Sequence, residues 1–344
     1  MADGAGAACR EALVAGVKEV SGRVDGGEWG ILLSGGVDSA AVLAANAEAG
    51  GVIRIRLAVC VAYGTEGSDR VWAEAVAAQH GLELVVVEAG ESELDAGITH
   101  AVRTLETCER MEVRNAAAVS IGLAALADAG VEFVLTGDGA DELLGGYSYT
   151  WPTPEPEWSA KRSELAASMS FSTTALGAAL GLTVCSPFLT PSFVDWVLAP
   201  GAAPRSVCVG SVFIRGAPDE VPVEATEGKL CLRTAFPDSP SAWRRKDPLQ
   251  RGSGTFVLDS PAPADNASAI VAATGIAPLS AEHARYIAAL AAVFPSGLPH
   301  RQRAEPPLPP GFCTHCRYAC ADPAFCGVCG VCPAWIAAES AGDG

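Results

Sequence analysis

The chain has 344 residues, 49% of them apolar, and a formal net charge of −17. That length supports a substantial core, as one large domain or two. No apolar run approaches the ~18 residues of a membrane helix, and the N-terminus lacks a basic stretch before an apolar core, so neither membrane association nor a signal peptide is expected. The acidic balance, with only four lysines, disfavours an extended nucleic-acid surface. The twelve cysteines read as thiols or metal ligands of a cytoplasmic protein before they read as disulfides.

Cys9, Leu13, Val14, Val17 and Val20 recur at helical spacing and predict a helix over 8–24. Ile31-Leu32-Leu33 then reads as a buried strand, Ser34-Gly35-Gly36 as a tight turn, and the alanine-rich run 40–50 as a helix. Further strands are expected over 52–62, 82–87 and 131–135, and helices over 68–80, 94–105, 114–129 and 281–293. Strands alternating with helices predict an α/β fold with a doubly wound parallel sheet. In such sheets ligands sit at the carboxyl ends of strands.

Two motifs stand at such ends. In Ser34-Gly35-Gly36-Val37-Asp38-Ser39 a strand ends where a helix begins, presenting open backbone N–H groups and hydroxyls to an anion. No lysine follows the glycines, which excludes the G-x-x-x-x-G-K-[ST] loop. A turn alone does not require Asp38. In Leu135-Thr136-Gly137-Asp138-Gly139-Ala140-Asp141-Glu142 and the following Leu143 to Tyr147, three carboxylates gather at a strand end. Carboxylates opposite a phosphate loop suit Mg²⁺, which binds through few carboxylates plus phosphate oxygens.

Ser-Gly-Gly-x-Asp-Ser resembles the PP-loop of the N-type ATP pyrophosphatases. Thr136 to Tyr147 resembles the second signature of the asparagine synthetase family's synthetase domain, a family that includes the β-lactam and carbapenam synthetases. Arg114-Asn115, Val184 to Leu189, Gly228-Lys229-Leu230 with Leu232-Arg233, and Arg244-Arg245-Lys246 with Gly252 to Thr255 resemble further family segments in the same order. The resemblance covers roughly 8–260. It implies that Ser34, Gly35, Gly36 and Ser39 bind the ATP phosphates. It further implies that Asp38 and Asp141 hold Mg²⁺, and that Leu32, Val59 and Gly137 contact the adenosine. Lys246 is then expected to stabilise charge developing in the reaction, and Asp138 and Glu142 to orient the amine or its proton.

Departures from the family bear on the substrate. Ala2 stands where a mature glutaminase would carry its cysteine, so no glutaminase domain is expected. Free ammonia, a separate amidotransferase or an amine on the substrate is then the expected nitrogen source. Asp138 stands where the family usually carries glutamate, and Thr190 replaces the aspartate after Pro-Phe-Leu, so aspartate is not the expected acceptor.

Six of the twelve cysteines lie between Cys313 and Cys332. The Cys-x2-Cys knuckles there fit tetrahedral zinc. Cys316, Cys326, Cys329 and Cys332 resemble the zinc tail of 7-cyano-7-deazaguanine synthase, with Cys313, Cys320 or His315 as alternative ligands. An iron–sulfur cluster is the other metal reading, since Cys-x2-Cys-x2-Cys followed by Pro333 occurs in ferredoxins. Cys60, Cys108 and Cys185 read as core residues. The expected organisation is a PP-loop domain over 1–260, a helix and proline-rich linker over 261–311 with loops at Ser260–Ala264 and Pro306–Gly311, and a metal-binding tail over 312–335.

The expected activity is an ATP-dependent ligase that adenylates a small-molecule carboxylate and passes ammonia or an amine to it. The rivals are deazapurine or sulfur-transfer chemistry on the same fold, and a non-catalytic nucleotide-binding partner protein.

Overall fold

A computed structural model describes residues 2–334 apart from 25, 65–67, 152–156, 200–208 and 259–265. The loop expected over Ser260–Ala264 lies outside the described residues. The chain divides into two compact units, one of Met1–Ala89 with Gly122–Gly254, the other of Gly90–Ile121 with Thr255–Gly344. The units are therefore not consecutive blocks, in contrast to the 1–260, 261–311 and 312–335 scheme drawn from composition.

The first unit is built on a five-stranded parallel sheet of β1 (Trp29–Leu32), β2 (Ile55–Tyr63), β3 (Leu84–Ala89), β4 (Phe133–Leu135) and β5 (Thr183–Cys185). Its order is β3-β2-β1-β4-β5. The strands read as near-continuous apolar runs because helices cover a parallel sheet on its faces. The chain runs outward from β1 through β2 to β3, then returns to the other side of β1 for β4. The loops after β1 and β4 therefore flank the point where strand order reverses, which is where open α/β sheets bind ligands.

Around the sheet lie α1 (Ala2–Gly22), α2 (Val37–Glu48) and α3 (Asp69–His80). Leu13, Val17, Ile31, Leu33, Val42, Leu135, Leu143, Phe188, Phe193 and Leu232 share one buried core. Fully burying each such side chain is worth about 1.5–3 kcal/mol. The four expected strands and the helix over 68–80 form within about three residues of their expected limits, whereas the helix expected over 8–24 begins earlier, at Ala2.

Features not anticipated include strand β5, which pairs with β4; the antiparallel hairpin β6 (Val209–Ile214) and β7 (Val223–Gly228); and helices over Glu157–Ser168, Ser172–Ala179, Pro191–Leu198, Leu230–Ala235 and Ala267–Thr274. β5 has three residues, too few for a periodic signal. The hairpin matters because β7 delivers Lys229.

The second unit contains α4 (Glu91–Leu105), residues 110–121 of α5 (Arg110–Asp128), helices over Ala267–Thr274 and Ala281–Val293, and the cysteine-rich tail. Its core carries a buried ion pair. Arg114 Nε and Nη2 each lie 2.6 Å from a carboxylate oxygen of Glu282, and the Tyr286 hydroxyl donates to Glu282 at 2.9 Å. Arg114 is thus committed to a structural pair.

Candidate active site and metal centre

The geometry of the Ser34–Ser39 loop follows from its sequence. Gly35 has φ 66°, and a Cβ there would lie 2.4 Å from the Ala73 nitrogen and 2.6 Å from Trp72, so only glycine fits. Gly36 precedes α2 and no side chain caps that helix, so its first-turn N–H groups stay open. Ser34 Oγ accepts from the Gly36 N–H at 3.2 Å, and Ser39 lies in the first turn of α2.

The acidic turn after β4 lies against this loop. A Cβ on Gly137 would sit 2.6 Å from Asp38 Cβ and 3.1 Å from the Ser39 nitrogen. The short helix Ala140–Leu144 then presents Asp141 and Glu142. Gly146 is equally constrained: a Cβ there would lie 1.7 Å from Asp141 Oδ1 and 2.4 Å from Lys229 Cε. The glycines of this turn thus let the two acidic loops and a lysine meet.

Lys229 joins them. Its Nζ lies 2.6 and 2.5 Å from the two Asp38 oxygens and 2.7 Å from Asp141 Oδ1. Lys246 Nζ also bonds Asp141 and stands 4.7 Å from the centroid of the Tyr147 ring. Lys229 is 2% exposed and adopts φ 58° just after β7, a conformation an L-residue rarely takes. Sequence reasoning named Lys229 only as part of a motif and gave it no role. Its signal was a lone lysine in a chain with four of them, flanked by glycine and leucine.

Two anions and two cations therefore share one partly buried site. Burial pushes the Asp141 carboxyl up, but Lys229 and Lys246 outweigh it and hold the group at about 2. Burial and the neighbouring Asp141 raise Asp38 above the usual carboxylate range, against the pull of Lys229 and Lys246. Burial lowers Lys229, yet Asp141 and Asp38 more than offset it and raise the group. Burial and the adjacent Lys229 charge lower Lys246.

The donor chemistry fits a divalent cation. Two carboxylates from separate loops aim oxygens at one point, beside open amide groups suited to phosphate. Asp38 and Asp141 are the residues that would hold Mg²⁺.

The other expected residues fall around this centre. Asp138 Oδ2 accepts from Thr136 at 3.0 Å and Thr173 at 2.5 Å, and Ser186 Oγ donates to the Asp138 carbonyl at 2.7 Å. Burial raises the Asp138 carboxyl, which the two threonine hydroxyls partly counter. Glu142 accepts from the Tyr147 hydroxyl at 2.6 Å, and burial raises it too. Leu32 pairs in register with Val59. A Cβ on Gly122 would lie 2.8 Å from Leu32 Cδ2, so that glycine makes room for the side chain. Val59 is 1% exposed, beside Leu32 on the neighbouring strand.

In the second unit, the thiols of Cys313, Cys316, Cys326 and Cys329 gather with their sulfurs within 4.8 Å of one another, all four residues buried. This corrects the set that the resemblance implied: Cys332 is exposed and lies outside the group, and Cys313, an alternative ligand in that reading, takes its place. Cys320 is buried, with Sγ on the carbonyls of Asp322 and Phe325. The His315 ring is not among the gathered ligands, although its backbone N–H donates to Cys313 Sγ at 3.4 Å. A short antiparallel bridge, Phe312 with Ala319, closes the first knuckle, and Gly330 N–H to Cys326 O closes the second. The set is pure thiolate, the donor chemistry of zinc or iron–sulfur sites.

Cys60 and Cys108 are buried as expected of core thiols, and Cys185 is half-buried. Among the described residues, no helix is long and apolar enough to cross a membrane.

No curated protein matches the chain. The asparagine synthase family model matches residues 8–181, just over half of it. That segment contains both acidic motifs, while Lys229 and Lys246 lie beyond it and reach the site through the fold. The chain belongs to the asparagine synthase family, whose members use ATP to form amides.

Proposed function

We propose that this chain is an ATP-dependent carbon–nitrogen ligase that releases AMP and pyrophosphate. A carboxylate oxygen of the acceptor attacks the α-phosphorus of ATP, and the bond to the β-phosphate breaks with loss of pyrophosphate. Ammonia or an amine then adds to the acyl carbon of the adenylate, loses a proton, and expels AMP to leave an amide. The observation that carries this reading is the meeting of Asp38, Asp141, Lys229 and Lys246 beside the Ser34–Ser39 loop.

Each residue has a role in that scheme. The loop amides and the hydroxyls of Ser34 and Ser39 bind phosphate oxygens. Mg²⁺ on Asp38 and Asp141 would supply charge neutralisation of the pyrophosphate. Lys246 donates to the oxygen that gains charge as bonds form, acting as a point charge. Lys229 holds the two aspartates in register. Asp138 and Glu142, both raised by burial, are assigned to orienting the incoming amine or relieving it of its proton.

The four-cysteine group favours a single zinc ion over a cluster. A tetrahedral metal with sulfur at about 2.3 Å sets its ligands about 3.8 Å apart. Here Cys313 and Cys329 are 3.7 Å apart, and Cys316 and Cys326 are 3.6 Å apart. In an iron–sulfur cluster, thiolates bound to different irons lie farther apart than the 4.8 Å within which all four sulfurs fall here. The deazapurine reading rested on a set that included Cys332 and loses that support.

Lys246→Ala tests the catalytic assignment. It is expected to abolish acid-dependent AMP formation while ATP binding changes much less. Normal turnover in the variant refutes it.

A further inference from the structure

We infer that residues 241–246 form a strap that aims the amide groups of the phosphate loop, with Ser241 and Arg244 as positioning residues for nucleotide. The inference rests on the reading of Ser34–Ser39 as the ATP-binding loop.

Ser241 is fully buried and its hydroxyl donates to the Gly35 carbonyl at 2.6 Å. Arg244 is 4% exposed, and its Nη1 donates to the Ser34 carbonyl at 3.0 Å. Its Nη2 donates to Asp69 at 2.6 Å and to Ser68 Oγ at 3.0 Å, and the guanidinium lies 5.7 Å from the Trp72 ring centroid. The strap is fixed in turn by Arg233, also buried, whose Nη1 donates to the carbonyls of Ala242 and Arg244 at 2.8 Å each. Arg245 N–H pairs with the Arg215 carbonyl at 2.8 Å. The basic triplet is therefore not one exposed turn: Arg244 faces the loop, Arg245 faces out, and Lys246 reaches Asp141.

Peptide geometry gives these contacts a function. A trans peptide is planar, with its carbonyl and the next N–H pointing opposite ways. Holding the Ser34 carbonyl on the strap side points the Gly35 N–H away from it. Holding the Gly35 carbonyl does the same for the Gly36 N–H, which in this structure rests on Ser34 Oγ. Successive amides turned to one side make an anion-binding concavity. The strap thus orients two phosphate donors without touching phosphate, and two residues later it delivers Lys246 to the opposite wall.

The test compares binding of Mg–ATP and of adenosine to the full chain by calorimetry, in wild type, Ser241→Ala and Arg244→Lys. Adenosine makes no phosphate contact, so a purely structural defect weakens both ligands alike. Lysine at 244 keeps a cation near Asp69 and cannot also reach the Ser34 carbonyl with a second donor. Each variant is expected to lose about 10-fold in ATP affinity, the effect of one weakened bond to a charged group, with adenosine affinity within about 2-fold. Equal losses for both ligands, or unchanged ATP affinity, overturn the strap while leaving the nucleotide site standing. A wild-type chain that binds no ATP overturns both.

Discussion

Lys229→Met removes the one cation that, among the described residues, bonds directly to both Asp38 and Asp141, and leaves a side chain of similar length. Asp141 retains its direct bond to Lys246, so Asp38 loses more. The lysine side chain is 3% exposed and those of Asp38 and Asp141 are 24% and 23% exposed, so solvent screens the loss only in part. Breaking a buried pair costs about 3–5 kcal/mol, and the partial exposure and remaining lysine place this one near ~3 kcal/mol. For a unit of this size each kcal/mol moves the melting temperature by about 2–4 °C, giving a loss of ~6–12 °C in EDTA. Magnesium reverses the sign of the comparison. In wild type the cation must displace Lys229 from the carboxylates, whereas in the variant it meets two anions already facing it. Millimolar MgCl2 is therefore expected to raise the variant's melting temperature more than wild type's. A thermal scan of both proteins, in EDTA and in MgCl2 without nucleotide, reads this directly. A variant as stable as wild type in EDTA, or one that gains no more than wild type from magnesium, refutes the charge-compensation reasoning.

Other outcomes follow from the same geometry. Gly137→Ala would place a methyl 2.6 Å from Asp38 Cβ, and it is expected to weaken Mg–ATP binding by at least about 10-fold, the equivalent of ~1.4 kcal/mol by titration calorimetry. Cys313→Ser is expected to abolish bound zinc in elemental analysis of the purified chain, whereas Cys332→Ser leaves one zinc per chain; the reverse pattern would restore the set that the resemblance implied. His283 is fully buried, its Nδ1 accepts from the Leu279 N–H at 3.1 Å, and burial pulls its imidazole down to about 4. The unfolded chain takes up that proton near its ordinary value of about 6.5, so the native state loses stability as pH falls below it, by about 2 kcal/mol at pH ~5. His283→Leu is expected to flatten that slope in urea titrations at pH ~7 and pH ~5, and an unchanged slope would show that another group carries it.

The sequence announced some of this and concealed the rest for physical reasons. The Ser34–Ser39 loop and the Thr136–Tyr147 turn were legible because strand, turn and helix are consecutive, so local pattern contains the whole feature. The pairing of Asp38 with Asp141 came from the family resemblance, and it agrees with the topology, since both follow the carboxyl ends of the adjacent parallel strands β1 and β4. Lys229 stood in a segment resembling the family but without a role, and Ser241 and Thr173 carried no comparable signal. Each reaches the site from a distant segment, and its role depends on a contact nearly 200 residues away for Lys229 on Asp38 and over 200 for Ser241 on Gly35. The three Cys-x2-Cys pairs, two of which share Cys329, allowed several ligand sets. What selects Cys313 over Cys332 is the closure of both knuckles by backbone bonds, which spacing does not record. The assignment of 90–121 to the same unit as the tail was hidden likewise, since it rests on long-range partners such as Arg114 with Glu282.

The most direct test of the central claim is ATP–pyrophosphate exchange screened across carboxylic acids, with product identity followed with and without ammonium. The account predicts exchange that depends on one class of acid, AMP as the nucleotide product once an amine is present, and loss of exchange in Asp38→Asn. Release of ADP and orthophosphate, or exchange that survives in Asp38→Asn, would contradict it.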